Sequence, residues 1–297
     1  MELDGRTTLV GILGDPVAHS LSPRMHNAAF EALQMNWRYL AFRVPAAQLA
    51  ASLRGAAALG LVGVNITVPH KEAASALLDE LDGPSRQIGA VNTIRVTGTR
   101  LSGFNTDAPG LLDALTRDGA VTPVGRRCLV IGAGGGGRAA AFCLATAGAS
   151  QVLVLNRSEA KAKAVADMVG RAVPSSHPSA GALSVEAIER AAENADIIVH
   201  ATAATMSTAM GGAGGNTDWL VALVRRVRRG MVVLDMVYTP TWTALLQAAK
   251  SNGARAVSGL SLLVFQGARS FELWTGRSAP LAVMRRAVGL DEHPVPS

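Results

Sequence analysis

Apolar, β-branched runs alternate with alanine-rich stretches of helical period along most of the chain. Because parallel strands are buried on both faces and are joined through helices, this alternation predicts an α/β fold with parallel strands. Strands are predicted over residues 8–14, 39–42, 63–68, 127–131, 151–155, 195–199 and 231–235. Two further predicted strands, residues 90–94 and 100–104, flank a Thr-Gly-Thr turn.

Turn-forming and capping residues indicate where the predicted elements begin and end. Ser22 followed by Pro23 predicts a helix start, with Ser22 as its N-cap and the proline in the first turn. Residues 174–181 and the glycine-rich residues 207–216 predict loops. After residue 125 the sequence pattern changes to an apolar strand, a run of glycines and an alanine-rich helix. A domain boundary is therefore predicted between Asp107 and Arg127.

Length and composition are those of a globular protein. The 297 residues suggest two domains, and 49% hydrophobic with 17% charged residues excludes a disordered chain or a coiled coil. No apolar run reaches the ~18 residues of a membrane span, and the N-terminus lacks a secretory pattern, so we expect a cytoplasmic protein. Cys128 and Cys143 have neither pair nor metal-ligand spacing and are predicted to be buried free thiols, with no bound metal.

The net charge of +6 raises the question of a nucleic-acid partner. The densest basic cluster is Arg225-Arg226-Val227-Arg228-Arg229, which has no interleaved aromatic residues, and aromatics make up only 4% of the chain. Base-stacking surfaces need aromatic side chains, so a solvated helix face is favoured over a nucleic-acid site. A basic surface also suits small anionic ligands.

A dinucleotide fingerprint follows the strand predicted over residues 127–131. Gly132, Gly134 and Gly137 satisfy Gly-x-Gly-x-x-Gly, with Gly135 between them, and a helix follows. Missing side chains let a backbone approach a diphosphate, and the helix N-terminus offers free N–H groups. Close packing of helix on strand is the alternative explanation.

The end of the next strand predicts which dinucleotide binds. An acid there selects the ribose 2′-hydroxyl of NAD, whereas a base accepts the 2′-phosphate of NADP. This chain has Asn156-Arg157-Ser158 at that point, with Lys161 one helical turn later. Two cations without an acid predict NADP, the alternative being that Arg157 is an ordinary surface arginine.

Polar residues collect at predicted strand ends in the first half of the chain. Ser20 and Ser22 follow the first strand, Thr67 stands at the end of the third with Lys71 just after it, Asp107 follows the strand over residues 100–104, and Asn92 interrupts a strand. Ligand sites of α/β proteins gather at such ends, and a lysine beside an aspartate can transfer protons. Capping and turn roles explain Ser22 and Asn105 equally well, so spacing alone leaves both interpretations open.

Several of these motifs, in this order, resemble the shikimate dehydrogenase family. The resemblance rests on residues 14–23 (GDPVAHSLSP), 65–71 (NITVPHK), 89–93 (GAVNT), 105–107 (NTD), 132–139, 156–161, 235–246 and 259–276. It extends from about residue 8 to residue 290.

The resemblance implies an N-terminal α/β substrate domain, formed by residues 1–107 with 259–297, and a Rossmann-like NADP-binding domain over residues 108–258, with a cleft between them. It implies NADP-dependent, reversible reduction of 3-dehydroshikimate to shikimate by a monomer or homodimer without nucleic-acid or membrane partners. Lys71 and Asp107 would be catalytic. The remaining implied roles are substrate binding by Ser20, Ser22, Thr67, Asn92, Tyr238 and Gln266, and coenzyme binding by Gly132, Gly134, Gly135, Gly137, Asn156, Arg157, Ser158, Lys161 and Gly259.

One stretch departs from the family pattern. His200 stands where the family usually carries asparagine, and Ala203 and Thr205 also depart from the family's Asn-Ala-Thr-Ser-x-Gly-Met stretch, which bears on coenzyme affinity or substrate scope. A lone histidine at a strand end is more often structural than catalytic, and His70 is expected to pack beside Lys71. Quinate or aminoshikimate dehydrogenases and a non-catalytic binding homologue are the alternative functions. The pair Ser20 and Ser22 favours shikimate over quinate, and retention of Lys71 and Asp107 argues against loss of catalysis.

Overall fold

The computed structural model describes residues 3–205 and 217–290, which include two compact units. Within these described residues, one unit takes in residues 3–110 and 263–290, and the second takes in residues 111–205 and 217–262. We refer to these as the discontinuous unit and the central unit.

The discontinuous unit is built on a six-stranded sheet with the order β2-β1-β3-β5-β6-β4. Its strands are β1 (Thr8–Gly14), β2 (Trp37–Arg43), β3 (Gly63–Ile66), β4 (Glu80–Leu81), β5 (Thr93–Thr97) and β6 (Arg100–Phe104). β1 runs parallel to β2 and β3, but β5 runs antiparallel to both β3 and β6. The expectation of parallel strands therefore holds for β1, β2 and β3 but is wrong for β5, which is joined to β6 by a tight hairpin closed at Gly98, with a φ of +61°.

Helices cover this sheet and supply much of its core. They are α1 (Ser22–Ala32), α2 (Leu49–Ala58), α3 (Lys71–Ser75), α4 (Gly83–Ile88) and α12 (Leu281–Ala287), and the chain passes between the units within α5 (Asp107–Asp113) and α11 (Gly259–Thr275). Leu53 of α2 packs in one apolar cluster with Ile66 of β3 and Ile94 of β5, all nearly inaccessible to solvent. This burial of large aliphatic side chains is the main stabilising contribution.

The central unit has the predicted parallel arrangement, in the order β12-β11-β10-β7-β8-β9. Its strands are β7 (Arg127–Ile131), β8 (Gln151–Asn156), β9 (Pro178–Ala182), β10 (Ile197–His200), β11 (Val232–Asp235) and β12 (Arg255–Val257), all paired in parallel. The helices are α6 (Gly135–Thr146), α7 (Glu159–Ala172), α8 (Val185–Asn194), α9 (Asp218–Arg226) and α10 (Ala244–Ser251). This is a Rossmann-like sheet with helices in the connections.

Of the two predicted loops, one contains a strand. Residues 174–181 include most of β9, which pairs with β8 from Val152↔Pro178 to Asn156↔Ala182. A strand that begins with proline and contains glycine is compatible with a sheet edge, where one side of the backbone needs no partner. The other predicted loop, residues 207–216, lies outside the described residues.

The two cysteines are free and buried, as predicted. Burial raises the pKa of both Cys128 and Cys143 to about 12. Within the described residues, every helix is too short or too polar to cross a bilayer.

His26 of α1 is an ionisable group inside the discontinuous unit. Its ring stacks on Tyr39 at a centroid distance of 4.5 Å, and neither ring nitrogen has a hydrogen-bond partner among the described residues. Burial lowers the pKa of His26 from its ordinary value of 6.5 to about 3. Between these values the unfolded chain binds a proton that the folded chain does not, so stability falls as the pH decreases below about 6.5.

Replacing His26 is expected to remove this acid sensitivity. Below about pH 6.5 the histidine costs the wild type up to about 1.4 kcal/mol of unfolding free energy per pH unit, and His26→Leu lacks that loss. Urea unfolding at about pH 6.5 and about pH 4.5 measures the difference. His177→Asn is the control, because His177 is exposed and asparagine tolerates its left-handed backbone. Equal pH slopes for the wild type and His26→Leu would contradict the assignment.

Candidate functional site

In the discontinuous unit, the predicted proton-transfer residues are in direct contact. Lys71 is the first residue of α3 and Asp107 the first residue of α5, so each directly follows a strand and its connection. Lys71 Nζ donates to Asp107 Oδ2 at 2.5 Å, and the two side chains are 19% and 7% exposed. A nearly buried carboxylate thus holds the ammonium group at one end of the sheet.

Asn92 fixes the other oxygen of this carboxylate. Its Nδ2 donates to Asp107 Oδ1 at 2.9 Å, and its Oδ1 accepts the backbone N–H of Thr106 at 2.7 Å. The amide has only one orientation that satisfies both contacts, because a carboxylate only accepts and a backbone N–H only donates. Asn92 directly precedes β5 rather than interrupting it.

Gln266 of α11 joins the same group. Its Nε2 donates to the Leu263 carbonyl, so its Oε1 accepts from Asn92 Nδ2 at 3.1 Å. Helix α11 approaches α5 closely because Gly110 has no side chain: a Cβ there would lie 2.7 Å from the Gln266 backbone nitrogen. Lys71, Asn92, Asp107 and Gln266 therefore form one connected cluster.

Ser20, Ser22 and Thr67 lie on neighbouring connections of the same unit. Thr67 follows β3, and its methyl group occupies the space beside Gly14 at the end of β1. The prediction that Ser22 is an N-cap is wrong. Helix α1 has Leu21 as its N-cap, with no capping bond from a side chain, and Ser22 is its first residue. The helix thus begins one residue earlier than predicted, and the Ser20 hydroxyl accepts the Ser22 N–H at 3.2 Å.

The central unit contains the glycine fingerprint between β7 and α6. Gly137 packs against Gly132 so closely that a Cβ would lie 2.0 Å from the Gly132 carbonyl oxygen, and Gly132 has a φ of +114°. Gly134 is the exposed N-cap of α6, with open space around it, and Gly135 begins the helix. The space in front of the first N–H groups of α6 is therefore not filled by side chains at Gly134, and this suits the diphosphate of a dinucleotide.

The residues after β8 carry positive charge. Asn156 ends the strand and donates from Nδ2 to the Ser158 carbonyl, while Ser158 caps α7 by accepting the Lys161 N–H. Arg157 and Lys161 are exposed. This arrangement places two cations at the position that contacts the 2′-substituent of a dinucleotide in Rossmann folds, so the residues present fit NADP.

Tyr238 and Gly259 follow later strands of the central unit. Tyr238 is half-buried in the connection after β11. Gly259 begins α11, and a Cβ there would lie 2.6 Å from the Met236 carbonyl oxygen, so this helix start also requires glycine. Among the described residues, no group of three or more histidine, cysteine, aspartate or glutamate side chains is arranged to hold a metal ion.

The two histidines discussed from the sequence both have structural partners. His70 is buried, and its Nε2 donates to the Val44 carbonyl at 2.6 Å. His200 is fully buried at the end of β10, with Nδ1 2.8 Å from Asp235 Oδ1 and Nε2 2.6 Å from Thr202 Oγ1. Asp235 also accepts from the Thr243 hydroxyl, so the pair ties together the connections that follow β10 and β11.

Sequence reasoning missed the hydroxyl and amide groups that surround Asn92. They are Asn65, Thr93, Thr106 and Ser270, all buried and hydrogen-bonded to one another. All four stand within segments on which the family resemblance rests, but a threonine that opens a strand or a serine inside a helix gives no signal of its own.

Known proteins of one family match this chain along its length. A model of the shikimate dehydrogenase substrate binding domain matches residues 12–94, one of shikimate/quinate 5-dehydrogenase residues 120–212, and one of the shikimate 5′-dehydrogenase C-terminal domain residues 259–288. The chain is 43% identical to the shikimate dehydrogenase (NADP+) of Methanopyrus kandleri over 97% of each chain.

Solved structures agree with these matches. Shikimate 5-dehydrogenase from Thermus thermophilus, in complex with NADP(H) and shikimate, has a TM-score of 0.80 and 37% identity, covering 95% of this chain and 98% of that one. Quinate dehydrogenase from Corynebacterium glutamicum, in complex with NAD, has a TM-score of 0.83 and 30% identity, with the same coverage.

His200→Ala is expected to lower the unfolding free energy by about 2–4 kcal/mol. The loss has two causes. Alanine leaves a cavity, and the buried Asp235 carboxylate loses the donor that His200 provides, although it still accepts from the Val237 N–H and the Thr243 hydroxyl. His200→Asn restores an amide donor and is expected to lose less. Urea unfolding measures both variants. A His200→Ala protein as stable as the wild type would show that the pair has no structural role.

Proposed function

The chain belongs to the shikimate dehydrogenase family, and we propose that it interconverts 3-dehydroshikimate and shikimate with NADP(H). The observation that carries this proposal is the nearly buried contact of Lys71 with Asp107, beside the amides of Asn92 and Gln266. We assign coenzyme binding to the central unit, and substrate binding to residues of the discontinuous unit together with Tyr238 of the central unit.

Lys71 is the proposed proton-transfer residue. As an ammonium group it donates a proton to the substrate carbonyl oxygen during reduction, and as an amine it takes the hydroxyl proton during oxidation. Its positive charge also stabilises the alkoxide that develops on that oxygen. Asp107 holds the lysine in place through Oδ2, which limits the orientations that Nζ can adopt. NADP(H), when bound, supplies or accepts the hydride.

The remaining polar residues are proposed to bind the substrate. Ser20, Ser22 and Tyr238 would hold the carboxylate, because hydroxyl groups donate readily to an anion. The ring hydroxyls would bind to Thr67, Asn92, Asp107 and Gln266, which together offer donors and acceptors. Such a set would orient the ring so that the reacting oxygen faces Lys71.

Coenzyme binding is proposed at the glycine fingerprint and the end of β8. The diphosphate would lie on the backbone of Gly132, Gly134, Gly135 and Gly137 at the start of α6. The 2′-phosphate would pair with Arg157 and Lys161, with Asn156 and Ser158 shaping the same turn. Gly259 is also proposed to contribute to coenzyme binding. Because it has no side chain, the chain after β12 can pass close to the Met236 carbonyl oxygen.

Shikimate is the proposed substrate in preference to quinate or aminoshikimate. Quinate has an additional hydroxyl on a tetrahedral carbon next to its carboxylate, and two closely spaced serines leave limited room there.

We also propose that the protein acts in the cytoplasm as a monomer or homodimer, without nucleic-acid or membrane partners. A spectrophotometric panel of shikimate, quinate and aminoshikimate, each with NADP⁺ and NAD⁺, tests substrate and coenzyme together. Absence of shikimate turnover would overturn the proposal.

Lys71→Ala is expected to lower kcat for shikimate oxidation by ~10²–10⁴-fold, the usual range for loss of a general acid–base group. Binding should change less, because other residues hold the ring. Steady-state kinetics with NADP⁺ measures both constants. Lys163→Ala is the matched control, since Lys163 is exposed on α7 and pairs with Asp167. A Lys71→Ala enzyme that keeps more than about a third of the wild-type kcat would refute the assignment.

Arg157→Asp is expected to raise KM for NADP⁺ at least ~10-fold, because an arginine–phosphate bond is lost and a repulsive charge replaces it. KM for NAD⁺, which lacks the 2′-phosphate, should change little. Arg171→Asp, a charge reversal at an exposed position near the end of α7, is the control. Equal effects on both coenzymes would contradict the assignment, and so would a wild type that prefers NAD⁺.

A further inference from the structure

A group of buried polar side chains lies next to Asn92 in the discontinuous unit. Thr93, Thr106 and Ser270 are 0%, 3% and 0% exposed, and we call them the hydroxyl triad. Their oxygens are mutually within hydrogen-bond distance: 2.8 Å from Thr93 to Ser270, and 3.2 Å from Thr106 to each of the other two. Three hydroxyls in contact away from water need defined donors and acceptors, because an unsatisfied one is costly.

Asn65 supplies donors to the triad. Its Nδ2 lies 3.0 Å from Thr93 Oγ1, from Ser270 Oγ and from the backbone carbonyl of Asn92. Because a carbonyl only accepts, the NH₂ side of Asn65 must face this group. The Tyr39 hydroxyl therefore donates to Asn65 Oδ1, at 2.7 Å, and holds the amide from the other side.

The triad also contacts Asn92. Thr93 Oγ1 and Thr106 Oγ1 lie 3.3 and 3.2 Å from Asn92 Oδ1, the atom that also accepts the Thr106 N–H. Thr106 Oγ1 also accepts from Asn92 Nδ2 at 2.9 Å, so the triad contacts both ends of the amide, and the Thr106 N–H at Oδ1 leaves Nδ2 facing Asp107 Oδ1 and Gln266 Oε1. The remaining carboxylate oxygen of Asp107 then receives Lys71.

Ser270 is the member that connects this group to helix α11. Its hydroxyl contacts Asn65, Thr93 and Thr106, and it lies one helical turn after Gln266, whose carbonyl it also reaches at 3.1 Å. Residues four apart share a helix face, so α11 presents Gln266 and Ser270 side by side. Removing this one hydroxyl takes a partner from three buried polar groups at once.

We propose that Ser270, through the hydroxyl triad and Asn65, is a positioning residue that fixes the Asn92 amide and thereby the Asp107–Lys71 contact. This inference rests on the proposed function for the role of Lys71. Ser270 itself has no contact with Lys71 or Asp107 in the geometry above, so its effect on turnover passes through Asn92.

Ser270→Ala is the test, since alanine is favourable inside a helix and removes only the hydroxyl. We expect kcat for shikimate oxidation to fall about 3- to 10-fold, the size of one net hydrogen bond, with KM for NADP⁺ unchanged. Ser85→Ala is the matched control, because Ser85 is buried in the same unit and its hydroxyl has no partner among the described residues. Equal kcat values for Ser270→Ala, Ser85→Ala and wild type would overturn the inference.

A pair of variants at Thr93 separates the hydroxyl from packing. Thr93→Ser keeps the hydroxyl and is expected to retain kcat, whereas Thr93→Val keeps the shape, loses the hydroxyl and should resemble Ser270→Ala. A larger loss in Thr93→Ser than in Thr93→Val would contradict the proposal. This pair also serves if Ser270→Ala fails to fold.

Coupling to the proton-transfer residue completes the test. In a Lys71→Ala background the additional kcat loss from Ser270→Ala should vanish, and full additivity would overturn the inference.

Melting temperatures provide a second test. The double variant Ser270→Ala with Asp107→Asn should lose less in melting temperature than the sum of the two single variants, because both changes disturb one network. Additive losses in melting temperature would contradict the proposed connection. A wild type without shikimate turnover would refute the proposed function, while the melting experiment would still test the connection of Ser270 to Asp107.

Discussion

Leaving a buried polar group unpaired is costly, and around Asn92 this cost determines the geometry of the candidate site. Asn92 is 2% exposed and has to satisfy an oxygen and an NH₂ group away from water. The Thr106 N–H accounts for the oxygen, and Asp107 and Gln266 account for the NH₂ group. Since Asp107 is held through one oxygen, the second is presented to Lys71. The position of the lysine thus depends on the hydrogen bonds that Asn92 needs, although Asn92 itself is not the residue that holds Lys71.

The regular part of the fold could be predicted from the sequence because burial leaves a clear pattern. Strand β1 has the predicted bounds, and the parallel strands of the central unit appear as continuous apolar runs. Short strands lack such a pattern: β4 has two residues and β12 three, while β9 begins at Pro178. The Gly98 turn indicates that β5 and β6 form a hairpin. The place of this hairpin in the sheet depends on contacts between residues that are distant in sequence, which a local pattern does not show.

The candidate site was predictable only where residue types are chemically distinctive. A lysine and an aspartate at strand ends, and a run of glycines between strand and helix, indicate chemistry by themselves. The hydroxyl triad does not, because Thr93 and Ser270 are separated by 177 residues and each fits its strand or helix without a special role. Ser22 illustrates the opposite error: a serine before a proline is typical of an N-cap, but the Ser20 hydroxyl accepts the Ser22 N–H, Leu21 is the N-cap and Ser22 is the first residue of the helix.

The two units meet their binding demands by different physical means, and this affects how each can vary. In the central unit the fingerprint depends on missing side chains, since a Cβ at Gly137 would collide with the Gly132 carbonyl, and any larger residue has the same defect. In the discontinuous unit the cluster depends on the exact donors and acceptors that side chains contribute. A substitution there need not change volume to be harmful, because exchanging a hydroxyl for a methyl leaves neighbouring groups unpaired. Steric space therefore constrains the coenzyme fingerprint, whereas hydrogen-bond balance constrains the cluster around Asn92, and the second constraint extends to residues that never reach the substrate.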